Sequence, residues 1–276
     1  MSKIKIQDII DFKKSSKPFA SITSYDFTSA KIVDSAKIPI ILVGDSASMV
    51  MLGYSNTLPI TMHEMKVFVK AVSRATKYSL VVADMPFMSY QSSVEKALEN
   101  AGEFIQKCGA NAVKLEGGAR VTPQIKSMVE SGIPVMGHIG LTPQSYNQMS
   151  GFKIQGKILS DAKKIISDSI KIEKAGAFSI VLEGIPSELS KIITEKLTIP
   201  TIGIGAGPYC DGQIQVFHDI LGLDNMFNPK HSKKYTQLYD LILKSIKSYK
   251  KEVSQKKFPK PKNSIKLNPN VLKSIS

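Results

Sequence analysis

The feature that most constrains the fold is an alternation. Across the first 228 residues, short apolar runs rich in Val and Ile are separated by longer segments with apolar residues at helical spacing. The runs at 19–23, 40–43, 80–83, 112–115, 135–137, 179–182, 201–204 and 214–217 read as strands. The segments at 62–77, 92–108, 121–131, 161–175 and 187–197 read as helices, several stopped by a glycine such as Gly109, Gly132 or Gly176. Strands that alternate with helices pair in parallel and carry the helices outside. Eight such strands predict an α/β fold of the (β/α)8 TIM-barrel type, which typically takes about 250 residues. The stretches KCGANAVKLEG, ESGIPVMGHIG and KAGAFSIVLEG each repeat a helix end, a glycine turn, a strand and a polar residue, a quasi-repeat of one βα unit.

The charge divides the chain at the same place as the pattern. The net charge is +14, but residues 1–228 hold 24 Lys+Arg against 21 Asp+Glu, whereas 229–276 hold 13 Lys against Asp240 and Glu252 alone. The first part reads as the catalytic barrel. The second reads as a basic helix around 235–249 followed by an arm, which Pro259 and Pro261 should keep extended, belonging to the same domain or to an oligomer contact. Arg74 and Arg120 are the only arginines and neither lies in the tail, so the forked donor favoured for nucleic-acid recognition is missing there. The apolar run at 38–43 is far shorter than the roughly 18 residues of a membrane span. The N-terminus shows no signal-peptide pattern, and Cys108 and Cys210 form neither a disulfide framework nor a metal motif, so a cytosolic protein is expected.

Barrels of this type carry chemistry at the C-terminal ends of their strands. Those positions hold Tyr25 and Asp26, Asp45 and Ser46, Asp84, Lys114 and Glu116, His138, and Glu183. An acidic residue after a strand also reads as a helix cap, but acidic groups at so many strand ends would converge in one mouth and require a cation. Carboxylate oxygens without Cys favour a hard metal, Mg²⁺ over Zn²⁺. A 2-oxo acid chelated there would have an acidified neighbouring carbon. Glu183, farthest along the chain from Asp45 and Asp84, is the candidate base, and Lys114 supplies positive charge for a substrate carboxylate or enolate, with a Schiff base as its rival role. GIGAG at 203–207 lacks the full phosphate-loop pattern and reads as close packing at the rim. His63, His218 and His231 have no partner spacing.

With these residues in place, VGDSASMVMLGYSNTLPIT, VVADMPFMSYQ, AVKLEGG, PVMGHIGLTPQS, FKIQGK, VLEGIP and IGIGAGPYCDGQIQVFHDILG together resemble the ketopantoate hydroxymethyltransferase family, over roughly residues 17–223. The resemblance implies a barrel of the phosphoenolpyruvate/pyruvate superfamily acting in pantothenate and coenzyme A biosynthesis. Its reaction would pass a one-carbon unit from methylene-tetrahydrofolate to 3-methyl-2-oxobutanoate (α-ketoisovalerate), giving 2-dehydropantoate (ketopantoate) through an Mg²⁺-stabilised enolate. It implies Asp45, Asp84 and Glu116 at the metal, Glu116 through water. Asp45, Ser46, Asp84 and Lys114 would bind the oxo acid, Glu183 would be the catalytic base and His138 a support. It also implies a homo-oligomer, often a decamer. Ser55, Met149 with Ser150, and Pro208 to Cys210 depart from the family pattern in loops that would shape the carrier pocket. Lyases of the isocitrate lyase or phosphonopyruvate type share this mouth but commonly use a Cys-bearing loop, for which neither Cys108 nor Cys210 is placed.

Overall fold

Eight strands close in chain order into a parallel barrel in the computed structural model: β1 (Phe19–Thr23), β2 (Ile40–Val43), β3 (Leu80–Asp84), β4 (Ala112–Glu116), β5 (Val135–Gly140), β6 (Ser179–Glu183), β7 (Thr201–Ile204) and β8 (Gly212–Gln215). The structure describes residues 2–149, 151, 153–225 and 229–275. Helix α1 (Ile6–Lys14) precedes the barrel, α2 (Phe27–Ser35) joins β1 to β2, and α3 (Ala47–Val50) and α4 (Met62–Ala75) join β2 to β3. After β3 and β4 come α5 (Val94–Gln106) and α6 (Thr122–Glu130), after β5 come α7 (Tyr146–Met149) and α8 (Leu159–Lys174), and α9 (Ser187–Lys196) follows β6. The chain goes on through α10 (Phe217–Leu221), α11 (Leu238–Ser254) and α12 (Pro269–Ile275).

Helix α4 shows how local sequence sets an element. Glu64 Oε2 accepts the Thr61 N–H at 2.8 Å while Thr61 Oγ1 accepts the Glu64 N–H at 3.3 Å, a reciprocal cap that starts the helix. Met65, Val69 and Val72 then recur on one face and are buried.

Strands β3 to β6 run one to three residues past their expected ends, because the pairing continues there: Asp84 lies opposite Lys114, Glu116 opposite His138 and Gly140 opposite Glu183. The polar groups expected just after the strands therefore sit within them. At β8 the expected 214–217 shifts to Gly212–Gln215, and Phe217 begins α10, its N–H donating to Thr23 Oγ1 at 3.0 Å.

The period of two sorts the strand residues into two layers. Ile41, Val43, Val81, Ala83, Val113, Leu115, Ile180 and Leu182 pack outward against the helices. Their neighbours Ile40, Leu42, Leu80, Val82, Ala112, Met136, Val181 and Ile202 form the interior cluster. Helix α1 closes that cluster at the floor: Ile9 is fully buried in it, Ile6 and Ile10 pack beside it, and Phe12 stacks on Phe19 with ring centroids 5.2 Å apart. Two carboxylates staple the floor. Asp34 accepts the N–H groups of Lys77, Tyr78 and Ser79, and Asp211 accepts the Thr201 N–H and the Lys13 ammonium.

The chain separates into two compact units, Met1–Phe217 with Pro229–Ser232, and His218–Asn228 with Lys233–Ser276. The expected division at residue 228 falls at 226–228, outside the described residues, as does Ser150. Within the second unit the Tyr235 N–H donates to the Ile220 carbonyl at 2.7 Å and the Tyr239 N–H to the Gly222 carbonyl at 3.0 Å. Helix α11 has no buried residue. The arm is not wholly extended as expected: it holds a 3-10 turn at Pro261–Asn263 and then α12, which starts on Pro269, where a fixed φ and a missing N–H suit the first helical position. Among the described residues no helix is long and apolar enough to cross a membrane.

Candidate active site

The alternation that lines the barrel with Leu80, Val82 and Ala112 brings Asp84, Lys114 and Glu116 onto the same interior rows nearer the mouth; Met136 is followed by His138, and Val181 by Glu183, in the same way. Register neighbours then become chemical partners. Lys114 Nζ donates to both oxygens of Asp84, at 2.7 and 2.8 Å, and stands 3.6 Å from Glu116 Oε1. The Asp45 N–H donates to Asp84 Oδ2 at 3.1 Å, which joins the loop after β2 to the same group. Ser46 Oγ is 2.8 Å from the Tyr25 hydroxyl. His138 stands between two carboxylates, Nδ1 3.2 Å from Glu116 Oε1 and Nε2 3.2 Å from Glu183 Oε2, ion-pair contacts not aligned as hydrogen bonds. All seven expected site residues thus fall on β3 to β6 or, for Asp45 and Ser46, in the turn after β2. Asp26, by contrast, caps α2 through the N–H groups of Thr28 and Ser29. Glu183 is the most open of the charged groups in this cluster, with 18% of its side chain exposed against 4% or less for Asp84, Lys114, Glu116 and His138.

Negative charge is in excess. Burial, then Asp84 and Glu116, push the Asp45 carboxyl well above the ordinary range. Burial also raises Asp84, with Lys114 acting against it. For Glu116 burial is outweighed by Lys114 and His138, so it is held low. Burial works against the charge on Lys114, yet Asp84, Glu116 and Asp45 overcome it and keep the ammonium protonated. His138 is likewise raised, to about 9, by Glu116 and Glu183 in spite of burial and Lys114.

Several parts of the site carry no sequence signal of their own. Gln144, in the 3-10 turn Pro143–Ser145, donates from Nε2 to Asp45 Oδ2 at 3.0 Å and from its backbone N–H to Glu116 Oε2 at 3.0 Å. Tyr90, buried, donates its hydroxyl toward Gln144 Oε1 and accepts the Glu116 N–H. Gly140, at φ +92°, is obligatory, since a Cβ there would lie 2.2 Å from the Glu183 carbonyl oxygen. A cavity of about 330 Å³ opens beside Glu116, lined by Phe87, Tyr90, Arg120, Gln124 and Gln144 among others. Gln124 Oε1 is buried with no hydrogen-bond partner.

The donor set suits a hard divalent cation: oxygen ligands only, more carboxylates than the two cations balance, and a buried Glu116 Oε1 that no hydrogen bond satisfies. Among the described residues, no group of three His, Cys, Asp or Glu side chains is arranged so as to hold a metal ion by itself.

The family model for ketopantoate hydroxymethyltransferase matches residues 3–261, reaching well into the lysine-rich tail. The 3-methyl-2-oxobutanoate hydroxymethyltransferase of Dehalococcoides mccartyi strain BAV1 is 52% identical over 270 residues, covering 98% of this chain and 97% of its own. The protein of that name from Clostridium acetobutylicum is 54% identical over 265 residues, covering 96% and 95%. Among solved structures, phosphonopyruvate hydrolase in complex with oxalate and Mg²⁺ superposes with a TM-score of 0.59 at 12% identity, covering 78% of this chain and 81% of that one. A 2,3-dimethylmalate lyase, a PEP mutase/isocitrate lyase superfamily member, does so with 0.59 at 15% identity, covering 99% and 91%. At such identities these structures show the shared barrel fold alone.

Proposed function

Since the chain belongs to the ketopantoate hydroxymethyltransferase family and is a transferase, we propose that it moves a hydroxymethyl group from methylene-tetrahydrofolate to C3 of 3-methyl-2-oxobutanoate, giving 2-dehydropantoate. The observation that carries this reading is the pairing across the mouth: a buried group of Asp45, Asp84, Glu116 and Lys114 on one side, and on the other a more open Glu183 linked to it through His138. Mg²⁺ would be held by Asp45 and Asp84, with Glu116 acting through water, and when bound it would polarise the keto carbonyl of the oxo acid.

The Glu183 carboxylate takes the proton from C3. His138, cationic and 3.2 Å from both Glu116 and Glu183, keeps the base turned toward the mouth and links its charge to the buried group. The Lys114 charge, beside Asp84, offsets the negative charge that builds on the substrate oxygens, and Ser46 and the Asp45–Asp84 pair orient the oxo acid. C3 then forms its bond to the one-carbon unit and water supplies the hydroxyl oxygen. Both bonds from that unit to the carrier's nitrogens break, and those nitrogens take up two protons, the equivalent of the one removed from C3 and one from the water. The cavity beside Glu116, with Phe87, Tyr90 and Arg120 in its wall, suits the flat, anionic carrier.

The test is hydrogen exchange. With Mg²⁺ in D₂O the protein should exchange the C3 hydrogen of 3-methyl-2-oxobutanoate, read by proton NMR, and Glu183→Gln should slow this by about 10²- to 10⁴-fold, the contribution of a placed base. Equal exchange by both proteins would remove Glu183 from the role. A cytosolic location, a homo-oligomer and a catalytic 1–228 segment with a basic tail complete the reading. The lysines of that tail serve as a solvated arm or subunit contact rather than a nucleic-acid surface.

A further inference from the structure

Gln144 has no charge and no place on a strand, yet two of the three carboxylates proposed at the metal meet it. Its Nε2 donates to Asp45 Oδ2 at 3.0 Å and to the Met85 carbonyl at 2.9 Å. Its Oε1 accepts from the Tyr90 hydroxyl at 2.8 Å and from Gln91 Nε2 at 3.1 Å. Its backbone N–H donates to Glu116 Oε2 at 3.0 Å. A carboxamide has two donors and two acceptor lone pairs, and here all four are used. The network also fixes which way the amide points. Turned over, its oxygen would face a carboxylate and a carbonyl, and its NH₂ would face the Gln91 NH₂, so the observed orientation is the only one that avoids repulsion.

The segment that carries Gln144 is itself braced. It is a 3-10 turn entered through Pro143 and closed by the Ser145 N–H on the Thr142 carbonyl at 2.8 Å, and Arg120 Nη2 donates to Ser145 Oγ at 2.9 Å. Tyr90 ties the other end, accepting the Glu116 N–H at 3.0 Å with the same hydroxyl that meets Gln144. One residue thus holds one oxygen of Asp45 and one of Glu116 and leaves the second oxygen of each for other partners. On Glu116 that second oxygen, Oε1, has no hydrogen bond although it is buried.

We propose that Gln144, backed by Tyr90, is the positioning residue that sets Asp45 and Glu116 as a pair to receive a divalent cation. This rests on the metal reading given above. Outer partners that orient ligating groups typically contribute about 10- to 100-fold to metal affinity.

Mn²⁺ serves as the probe, its binding to the full-length protein followed by the EPR signal of the free ion. Gln144→Met, which keeps the length of the stem and removes the amide, should raise the Mn²⁺ dissociation constant by about 10- to 100-fold. It should raise the Mg²⁺ concentration for half-maximal C3 exchange by the same factor, with the KM for the oxo acid unchanged at saturating Mg²⁺. Tyr90→Phe removes the hydroxyl that meets both Gln144 and Glu116 while leaving the amide in place, and should weaken Mn²⁺ by about 2- to 10-fold. A merely structural role would lower the urea midpoint and leave the affinity of the folded protein where it was. Unchanged Mn²⁺ affinity in folded Gln144→Met overturns the assignment; if that variant does not fold, unchanged affinity in Tyr90→Phe does so. Wild-type protein without saturable Mn²⁺ binding overturns the metal reading, and this proposal with it.

Discussion

Asp34 and Asp45 are both buried aspartates of one barrel, the first at its floor and the second at its mouth, and their carboxyls are pushed in opposite directions. At Asp34 the cost of burial is outweighed by the N–H groups of Ser79, Tyr78 and Lys77, and the carboxyl is held below its ordinary range. At Asp45 burial is compounded by Asp84 and Glu116, one amide and a shared lysine offset little of it, and the carboxyl is pushed up. A carboxylate surrounded by its own backbone donors stabilises the fold. One surrounded by other carboxylates weakens the fold and is ready for a cation or a proton.

On stability the largest effect belongs to the floor. Asp34→Asn should lower the unfolding free energy by about 1.5–3 kcal/mol, the worth of hydrogen bonds to a charged group, and leave C3 exchange unchanged. The pH dependence has a definite sign. A carboxyl with a depressed folded pKa contributes fully above its unfolded value and loses that contribution as pH falls through the folded one. Urea titrations should therefore show a constant gap between wild type and Asp34→Asn from neutral pH down to about 5, narrowing below about 4. A gap that widens in acid would contradict the staple.

Asp45→Asn should do the reverse. Its folded pKa is raised, so the ionised group costs stability above its unfolded value of about 4. In protein stripped of metal by EDTA, the asparagine variant should unfold at an equal or higher urea concentration at pH 7, with the advantage gone near pH 4, while exchange is lost. A loss of stability like that of Asp34→Asn would erase the distinction between mouth and floor. The smallest effect is expected in the tail: removing 255–276 should leave both exchange and the urea midpoint of the barrel unchanged, and a large loss of exchange would give the tail a part in the site.

Much of this architecture was legible in the residues. Val and Ile runs alternating with segments of helical spacing specify parallel strands between helices, and the eight runs match the eight strands closely. The positions of Asp45, Asp84, Lys114, Glu116, His138 and Glu183 also followed from strand ends. The overrun at β5, which places His138 within the strand, was not legible, because strand length depends on what the neighbour offers as a hydrogen-bond partner. Asp26 and Asp45 look alike in sequence, each following an apolar run, yet one caps a helix and the other meets Asp84. Gln144 and Tyr90 lie within stretches that carry the family resemblance, yet nothing in the sequence marked them as site residues, since an amide and a phenol acquire their roles only from what surrounds them.

What the sequence determined by itself is the periodicity, and with it which side chains enter the barrel and near which end, since in a strand side-chain direction alternates with position. Which buried carboxylate is satisfied and which is left in excess was decided only by tertiary structure. That outcome depends on donors and charges brought together from 30 to 99 residues apart, as Lys114 is to Asp84 and Gln144 to Asp45. The balance between desolvation and such contacts is a property of the assembled site that no single residue carries.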